Sequence, residues 1–131
     1  MDNTNASIEV IAAGHLCIDL LPLMDQLPLN VLAKPGKLYE TGAMGVSTGG
    51  SVSNTGLALH RLGVNVRLMS LVGEDAIGRM VIEFLDRRDP SLTQYVSTLS
   101  EYPSSYTIVL APERVDRIFF ALSGDKCSFW G

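Results

Sequence analysis

The sequence contains little that would support a disulfide framework, a zinc site or a basic binding surface. Its only two cysteines, Cys17 and Cys127, are interpreted as free thiols, and no cysteine and histidine cluster has the spacing of zinc ligands. Ten basic residues against 14 acidic ones give a net charge of −4, which lacks the electrostatic footprint of a nucleic-acid-binding protein. We therefore expect neither a metal site nor a nucleic-acid partner.

The hydrophobic pattern of the sequence also contains no candidate membrane-spanning segment. The apolar stretch 10–24 is interrupted by His15, Asp19 and Pro22, so it is too short and too polar to cross a bilayer. The first residues lack the basic start of a secretory signal. These features predict a cytoplasmic protein with no membrane partner.

The composition provides enough apolar material for a folded core. The chain has 131 residues, of which 47% are hydrophobic and 18% are charged. This balance argues against disorder, because a disordered chain has few apolar residues and many charges. A chain of this length is most simply one domain.

The hydrophobic pattern predicts alternating strands and helices. Several runs are apolar on both faces, which is typical of strands in a covered parallel sheet, and the second helix has a continuous apolar stripe. Gly56, inside the first helix, is expected to allow close packing against a neighbour. The expected strands are 8–14, 64–72, 95–99, 105–111 and 115–122, and the expected helices are 51–62 and 76–88. This order indicates an α/β sheet with antiparallel additions at its end.

Glycines and polar residues mark the ends of the two helices. The glycine pair 49–50 opens the first helix, Ser51 or Ser53 is the expected cap, and Gly63 ends it. Asp75 is expected to cap the second helix, where its carboxylate accepts from backbone N–H groups. We therefore interpret Asp75 as structural rather than catalytic.

Three positions have the chemistry of a binding site for a hydroxylated ligand. The bare backbone at Gly50 lies at the positive end of a helix, which favours oxygen-rich ligands. Asn54, one turn further on, can both donate and accept, as recognition of a hydroxyl requires. Asp19 follows the first strand closely, and ligands of open α/β sheets collect beyond the carboxyl ends of strands.

Each of these positions also has a structural explanation. The glycine pair can be a plain strand-to-helix turn, and Asp19 can be a helix or turn cap. A dinucleotide-binding fingerprint is absent, and a P-loop is excluded because Ser51 stands where that motif needs lysine. Local chemistry alone leaves the ligand site and the structural turn as alternatives.

Taken together, four motifs resemble the N-terminal part of the ribokinase-like, or phosphofructokinase-B type, carbohydrate kinases. The segment 14–19 resembles the family's first strand and its substrate aspartate, and the segment 49–63 resembles its first signature. The turn Val72-Gly73-Glu74-Asp75-Ala76-Ile77-Gly78 resembles the turn after the family's next strand, and the segment from Asp116 to Gly124 resembles a later strand. The motifs follow one another in the family's order along nearly the whole chain.

The resemblance implies a ribokinase-like α/β fold and ATP-dependent phosphorylation of a sugar or nucleoside hydroxyl with Mg²⁺. It assigns Asp19, Gly50 and Asn54 to the sugar site. It also implies that residues 1–131 form one incomplete kinase domain, and that a small β lid lies roughly within 23–47. Lids of this family often make dimer contacts, so a homodimer is an expected partner.

Two departures and one absence qualify what the resemblance implies. Ser51 stands where ribokinases carry a lysine, and the segment 124–126 replaces the family's Gly-Ala-Asn. The second signature, a Gly-Ala-Gly-Asp turn that carries the general base and the anion hole, does not occur in this sequence. We therefore expect the chain to supply the sugar-binding half and to be inactive alone. The alternative is a non-catalytic small-molecule-binding or dimerisation module of the same fold.

Overall fold

A computed structural model describes residues 7–24, 27, 34–114 and 116–123 of the protein. The described chain forms seven strands, two α-helices and one short 3-10 helix. In chain order these are β1 Val10–Ala13, β2 Cys17–Pro22, β3 Met44–Gly49, α1 Gly50–Arg61, β4 Val66–Gly73, α2 Ala76–Asp86, the 3-10 helix Pro90–Thr93, β5 Tyr95–Leu99, β6 Tyr106–Leu110 and β7 Ile118–Leu122.

The first sheet is parallel and has the strand order β1-β4-β5. Helix α1 precedes β4 and helix α2 precedes β5 along the chain, so each helix makes the crossover that parallel pairing requires. Strand β4 is the central strand, and alternate residues along it are fully buried. This part of the fold confirms the predicted α/β class.

The second sheet has the order β3-β2-β6-β7 and mixes both kinds of pairing. Strand β2 pairs antiparallel with β3 and parallel with β6, while β6 and β7 form an antiparallel hairpin. The predicted hairpin is therefore present, but it extends this second sheet and not the parallel one, which corrects the sequence-based topology. Periodicity identifies a strand, but the partner of that strand is decided by contacts distant in sequence.

The lid predicted within 23–47 only partly overlaps the second sheet. Of the described residues in this range, only 44–47 belong to a strand, as the first part of β3. Residues 25–26 and 28–33 lie outside the described residues. The sheet's other strands, β2, β6 and β7, lie wholly outside the range.

Helix α1 begins at an N-cap glycine, Gly49, and no side chain caps it. The prediction that Ser51 or Ser53 would be the cap is therefore wrong. The Ser53 hydroxyl is buried and donates instead to Oγ1 of Thr48 at 2.7 Å. Gly63 follows the helix with a φ of +84°, so the predicted C-terminal stop is confirmed.

Helix α2 has the predicted cap and the predicted apolar stripe. Oδ1 of Asp75 accepts from the N–H of Gly78 at 2.8 Å. Val81 and Leu85 are fully buried, and Ile77, Met80 and Phe84 pack beside them. The helix is therefore held by a cap at one end and by burial along one face.

A single apolar core lies between the parallel sheet, the two helices and the near end of the second sheet. It contains the buried residues Leu16, Ile18, Val52, Leu57, Val66, Leu68, Val72, Val81, Leu85 and Leu92. The predicted close approach at Gly56 is confirmed, because a Cβ there would lie 2.1 Å from Cδ2 of Leu68. The glycine thus lets α1 lie directly on β4.

Cys17 is buried, whereas Cys127 and the segment 124–126 lie outside the described residues. In the part of the chain that the structure describes, neither helix has the length and apolar character needed to cross a bilayer.

Candidate functional site

The chain passes from the first sheet to the second through a bend at Gly14. This residue has a φ of +137°, a conformation that glycine adopts readily and other residues avoid. Its N–H donates to the carbonyl of Met69 at 3.1 Å, and its carbonyl accepts from the Ser70 hydroxyl at 2.7 Å. The bend is therefore fixed to the middle of β4, and it delivers β2 to a defined position beyond the carboxyl end of β1.

Asp19 lies in the middle of β2, opposite Ser47 of β3 and Thr107 of β6. Residues paired across a sheet share one face, so the carboxylate and these two hydroxyls lie on the same side. The thiol of Cys17 donates to Oδ1 of Asp19 at 3.6 Å. Asp19 therefore belongs to a strand and not to a turn or a helix, although its carboxylate lies beside the start of α1.

The Asp19 carboxylate reaches the start of α1. A Cβ on Gly49 would lie 2.3 Å from Oδ2 of Asp19, so no side chain fits at this position beside the carboxylate. Sequence reasoning assigned the close approach of a ligand to Gly50 and gave Gly49 no separate role. The structure shows that the first glycine of the pair makes room for Asp19.

Gly50 is required for a different reason. Its φ is +87°, and an added Cβ would lie 2.4 Å from the carbonyl oxygen of His15. The same carbonyl accepts from the N–H of Val52 at 3.1 Å, which occupies one of the N–H groups at the helix start. The space beside the Gly50 Cα is therefore taken by protein, and any ligand contact there involves backbone N–H groups at the uncapped helix end.

Asn54 is exposed and lies one turn after Gly50 on the same side of α1. It lines a cavity of about 260 Å³ between β3, α1 and α2, together with Thr48 and Ser53. Asp19 and Gly50 are not among the residues that line this cavity. The structure therefore brings Asp19 to the glycine pair and places Asn54 at the mouth of an adjoining cavity.

Asp75 has partners that the sequence did not reveal. Besides capping α2, its carboxylate accepts from the backbone N–H of Ser104 at 2.8 Å and from the Ser104 hydroxyl at 2.7 Å. That buried hydroxyl also accepts from the N–H of Gly73 at 2.8 Å. Asp75 therefore joins the end of β4 to the segment that leads into β6, the strand beside Asp19.

The charge state of Asp75 reflects these contacts. Burial raises its pKa, but hydrogen bonds from Ser104 and Gly78 and the nearby charge of Arg79 outweigh burial and hold the pKa below its ordinary value. Asp89 behaves similarly: hydrogen bonds from Ser91, and then from His60 at 3.1 Å, lower its pKa. Both carboxylates are therefore ionised structural acceptors.

The described residues do not fit a magnesium site. Within this part of the chain, no group of three or more histidine, cysteine, aspartate or glutamate side chains converges closely enough to hold a metal ion. Carboxylate oxygens are the usual protein ligands of Mg²⁺, and Asp19 does not belong to such a group among the described residues. We therefore assign no step to Mg²⁺ or to the ATP it accompanies.

Solved structures with the same fold are carbohydrate and nucleoside kinases. Ribokinase of Arabidopsis thaliana, in complex with ribose and ATP, aligns with a TM-score of 0.73 and 18% identity over 91% of this chain and 37% of that one. A nucleoside kinase of Burkholderia thailandensis, in complex with inosine, aligns with a TM-score of 0.61 and 20% identity over 88% and 37%. These likenesses establish the ribokinase-like fold.

Sequence comparison adds relatives with named activities. Two proteins named 5-dehydro-2-deoxygluconokinase, from Geobacillus thermodenitrificans and Geobacillus kaustophilus, are each 31% identical over 78 residues, or 60% of this chain. The chain spans about a fifth of the length of these relatives. Residues 7–126 match the pfkB family carbohydrate kinase. Because this match covers nearly the whole sequence, the chain belongs to the pfkB family of carbohydrate kinases.

Proposed function

We propose that this chain supplies the acceptor-binding half of an enzyme that transfers a phosphoryl group from ATP to a hydroxyl of a sugar or nucleoside. One observation carries the proposal: the Asp19 carboxylate reaches Gly49, at a helix end that no side chain caps. A negative acceptor and the backbone N–H groups of a helix start then lie side by side. A polyhydroxylated ligand needs this combination, because each hydroxyl both donates and accepts.

The roles of the individual groups follow from their chemistry. Asp19 accepts from one or two acceptor hydroxyls, and backbone N–H groups near Gly50 donate to hydroxyl oxygens. Asn54, on the same side of α1, uses its amide for a further hydroxyl. Orientation of the reacting hydroxyl by such contacts contributes several kcal/mol to a transfer reaction.

The rest of the proposal comes from relatives. Solved kinases of this fold are named as complexes with ribose and ATP, with ADP and with inosine, which supports a nucleotide donor and a sugar or nucleoside acceptor. The family resemblance also supports a homodimer through the lid, which it places roughly within 23–47. Both remain proposals for this chain.

The test is steady-state kinetics on the protein expressed from the whole reading frame that encodes this sequence. Ribose, fructose, 5-dehydro-2-deoxygluconate and inosine are offered with ATP, and product formation is followed. For the preferred acceptor, Asp19→Asn is expected to lower kcat/KM by about ten- to a hundredfold, since a hydrogen bond to a charged group is worth roughly 1.5–3 kcal/mol. Asn54→Ala is expected to give a smaller loss, because the lost partner is neutral.

Asp116→Asn is the matched control. Asp116 is exposed in the connection between β6 and β7, so the same chemical change there is expected to leave kcat/KM unchanged. Equal kcat/KM for wild type and Asp19→Asn would contradict the assignment of Asp19. Acceptor binding without phosphorylation of any compound would favour the non-catalytic module.

A further inference from the structure

The cavity that Asn54 lines contains further polar groups that the proposed acceptor chemistry does not use. The cavity between β3, α1 and α2 is lined by two arginines, Arg61 and Arg88, in addition to Thr48, Ser53 and Asn54. Phe84 is among the residues that form its apolar side. No acidic side chain lines it, although acidic residues outnumber basic ones in the whole sequence.

The two arginines are free of carboxylate partners within the described chain. None of the ion pairs among the described residues includes Arg61 or Arg88, and the neighbouring Arg87 takes the carboxylate of Glu83. Arg61 donates through Nε to the carbonyl of Leu57 at 3.2 Å. Since a guanidinium has five N–H donors, four remain on Arg61 after this contact.

The helix ends explain part of this arrangement. Arg61 ends α1 and Arg88 lies just after α2, where positive charge complements the helix dipole. The dipole does not account for the hydroxyl and amide groups that line the same cavity. The Ser53 hydroxyl donates to Thr48, so the Thr48 hydroxyl keeps its own hydrogen for another acceptor.

We propose that this cavity binds the phosphate group of a small metabolite or free phosphate. The wall combines two guanidinium groups with hydroxyl and amide donors and offers no competing carboxylate. Guanidinium groups bind oxyanions through paired hydrogen bonds, and a tetrahedral dianion has enough acceptor oxygens to use all of these donors. A volume of about 260 Å³ leaves room for a carbon skeleton against the apolar side.

The test is titration calorimetry on the protein from the whole reading frame, with inorganic phosphate and ribose 5-phosphate as probes. Ionic strength is held constant with sodium chloride. Saturable binding is expected, and Arg88→Gln is expected to weaken the Kd at least about tenfold, because it removes charged donors. Arg88 is the primary site because Arg61 also holds a helix carbonyl, and a thermal melt of each variant verifies folding.

Two controls make the outcome specific. Arg114→Gln removes an exposed arginine of the β6–β7 connection and is expected to leave both Kd values unchanged. Asp19→Asn is also expected to leave phosphate binding unchanged, which separates this site from the proposed acceptor site. If ribose 5-phosphate binds more tightly than phosphate, and if this gain is lost in Arg88→Gln and kept in Asp19→Asn, the cavity is a metabolite site. Equal binding of the two probes would identify a free-phosphate site. Absence of saturable binding, or equal loss in Arg88→Gln and Arg114→Gln, overturns the proposal.

Discussion

The most direct test of the fold's energetics is the removal of the Asp75 carboxylate. A helix cap alone is worth about 1 kcal/mol. In the structure, however, the carboxylate accepts three hydrogen bonds, from the N–H of Gly78 and from the N–H and hydroxyl of Ser104. Ser104 is buried, so its N–H would lose this partner in a place where water does not easily replace it.

We therefore expect Asp75→Ala to lower the free energy of unfolding by about 2–4 kcal/mol, since each hydrogen bond to a charged group is worth roughly 1.5–3 kcal/mol and the three are not additive. Asp75→Asn keeps one carbonyl acceptor but turns an NH₂ group towards a donor. It should therefore lower the free energy of unfolding by nearly as much as Asp75→Ala does. The assay is urea unfolding of the protein from the whole reading frame, followed by circular dichroism.

A double-mutant cycle identifies the source of the loss. Ser104→Ala removes the hydroxyl but keeps the backbone N–H, and the cost of combining it with Asp75→Ala should be clearly less than the sum of the single changes. Asp116→Asn, exposed and outside this cluster, should change stability little. A loss of 1 kcal/mol or less for Asp75→Ala, or strict additivity with Ser104→Ala, would refute the view that Asp75 joins two segments of the fold.

Three further expectations follow. Folding lowers the pKa values of Asp75 and Asp89, so both carboxylates stabilise the fold fully above the ordinary aspartate pKa of about 3.9. This stabilisation is lost as the pH falls through the pKa values of the folded state. The difference in unfolding free energy between wild type and Asp75→Asn should therefore shrink in acid. Gly56→Ala should cost about 1–3 kcal/mol through the collision with Leu68, despite better helix propensity, whereas Thr55→Ala on the exposed face should cost little in the same urea assay. The 131-residue chain by itself should show no kinase activity and should self-associate through unpaired sheet edges. Sugar phosphorylation by this chain would contradict the first expectation, and a monodisperse monomer in light scattering would contradict the second.

Much of the local structure was predictable from the sequence. The apolar stripe of α2, the stop at Gly63 and the cap at Asp75 depend on residues within a few positions of one another, so their pattern is visible along the chain. The close packing at Gly56 was also predicted, because a glycine inside a helix usually needs a packing reason. The family match confirms the resemblance that the glycine pair and the turn at 72–78 indicate.

Partnerships between distant residues were not predictable in the same way. The apolar pattern identifies 106–110 and 118–122 as strands, but only the tertiary structure places them beside β2 and not in the parallel sheet. The cap expected at Ser51 or Ser53 is wrong because α1 begins earlier, with Gly49 as its N-cap, and the Ser53 hydroxyl donates to Thr48 instead. A strand's partner and a buried hydroxyl's partner both depend on which segments the whole fold brings together.

In the candidate site, too, the residue types were predictable from the sequence and their proximity was not. By itself the sequence determined which residue types are available: a carboxylate at Asp19, an amide at Asn54 and a side-chain-free pair at 49–50. The tertiary structure decided that Gly49 makes room for Asp19, that Gly50 makes room for the His15 carbonyl, and that Arg61 and Arg88 line one cavity. Chemistry is encoded residue by residue, whereas proximity arises only when the bend at Gly14 and the crossovers through α1 and α2 bring distant segments together.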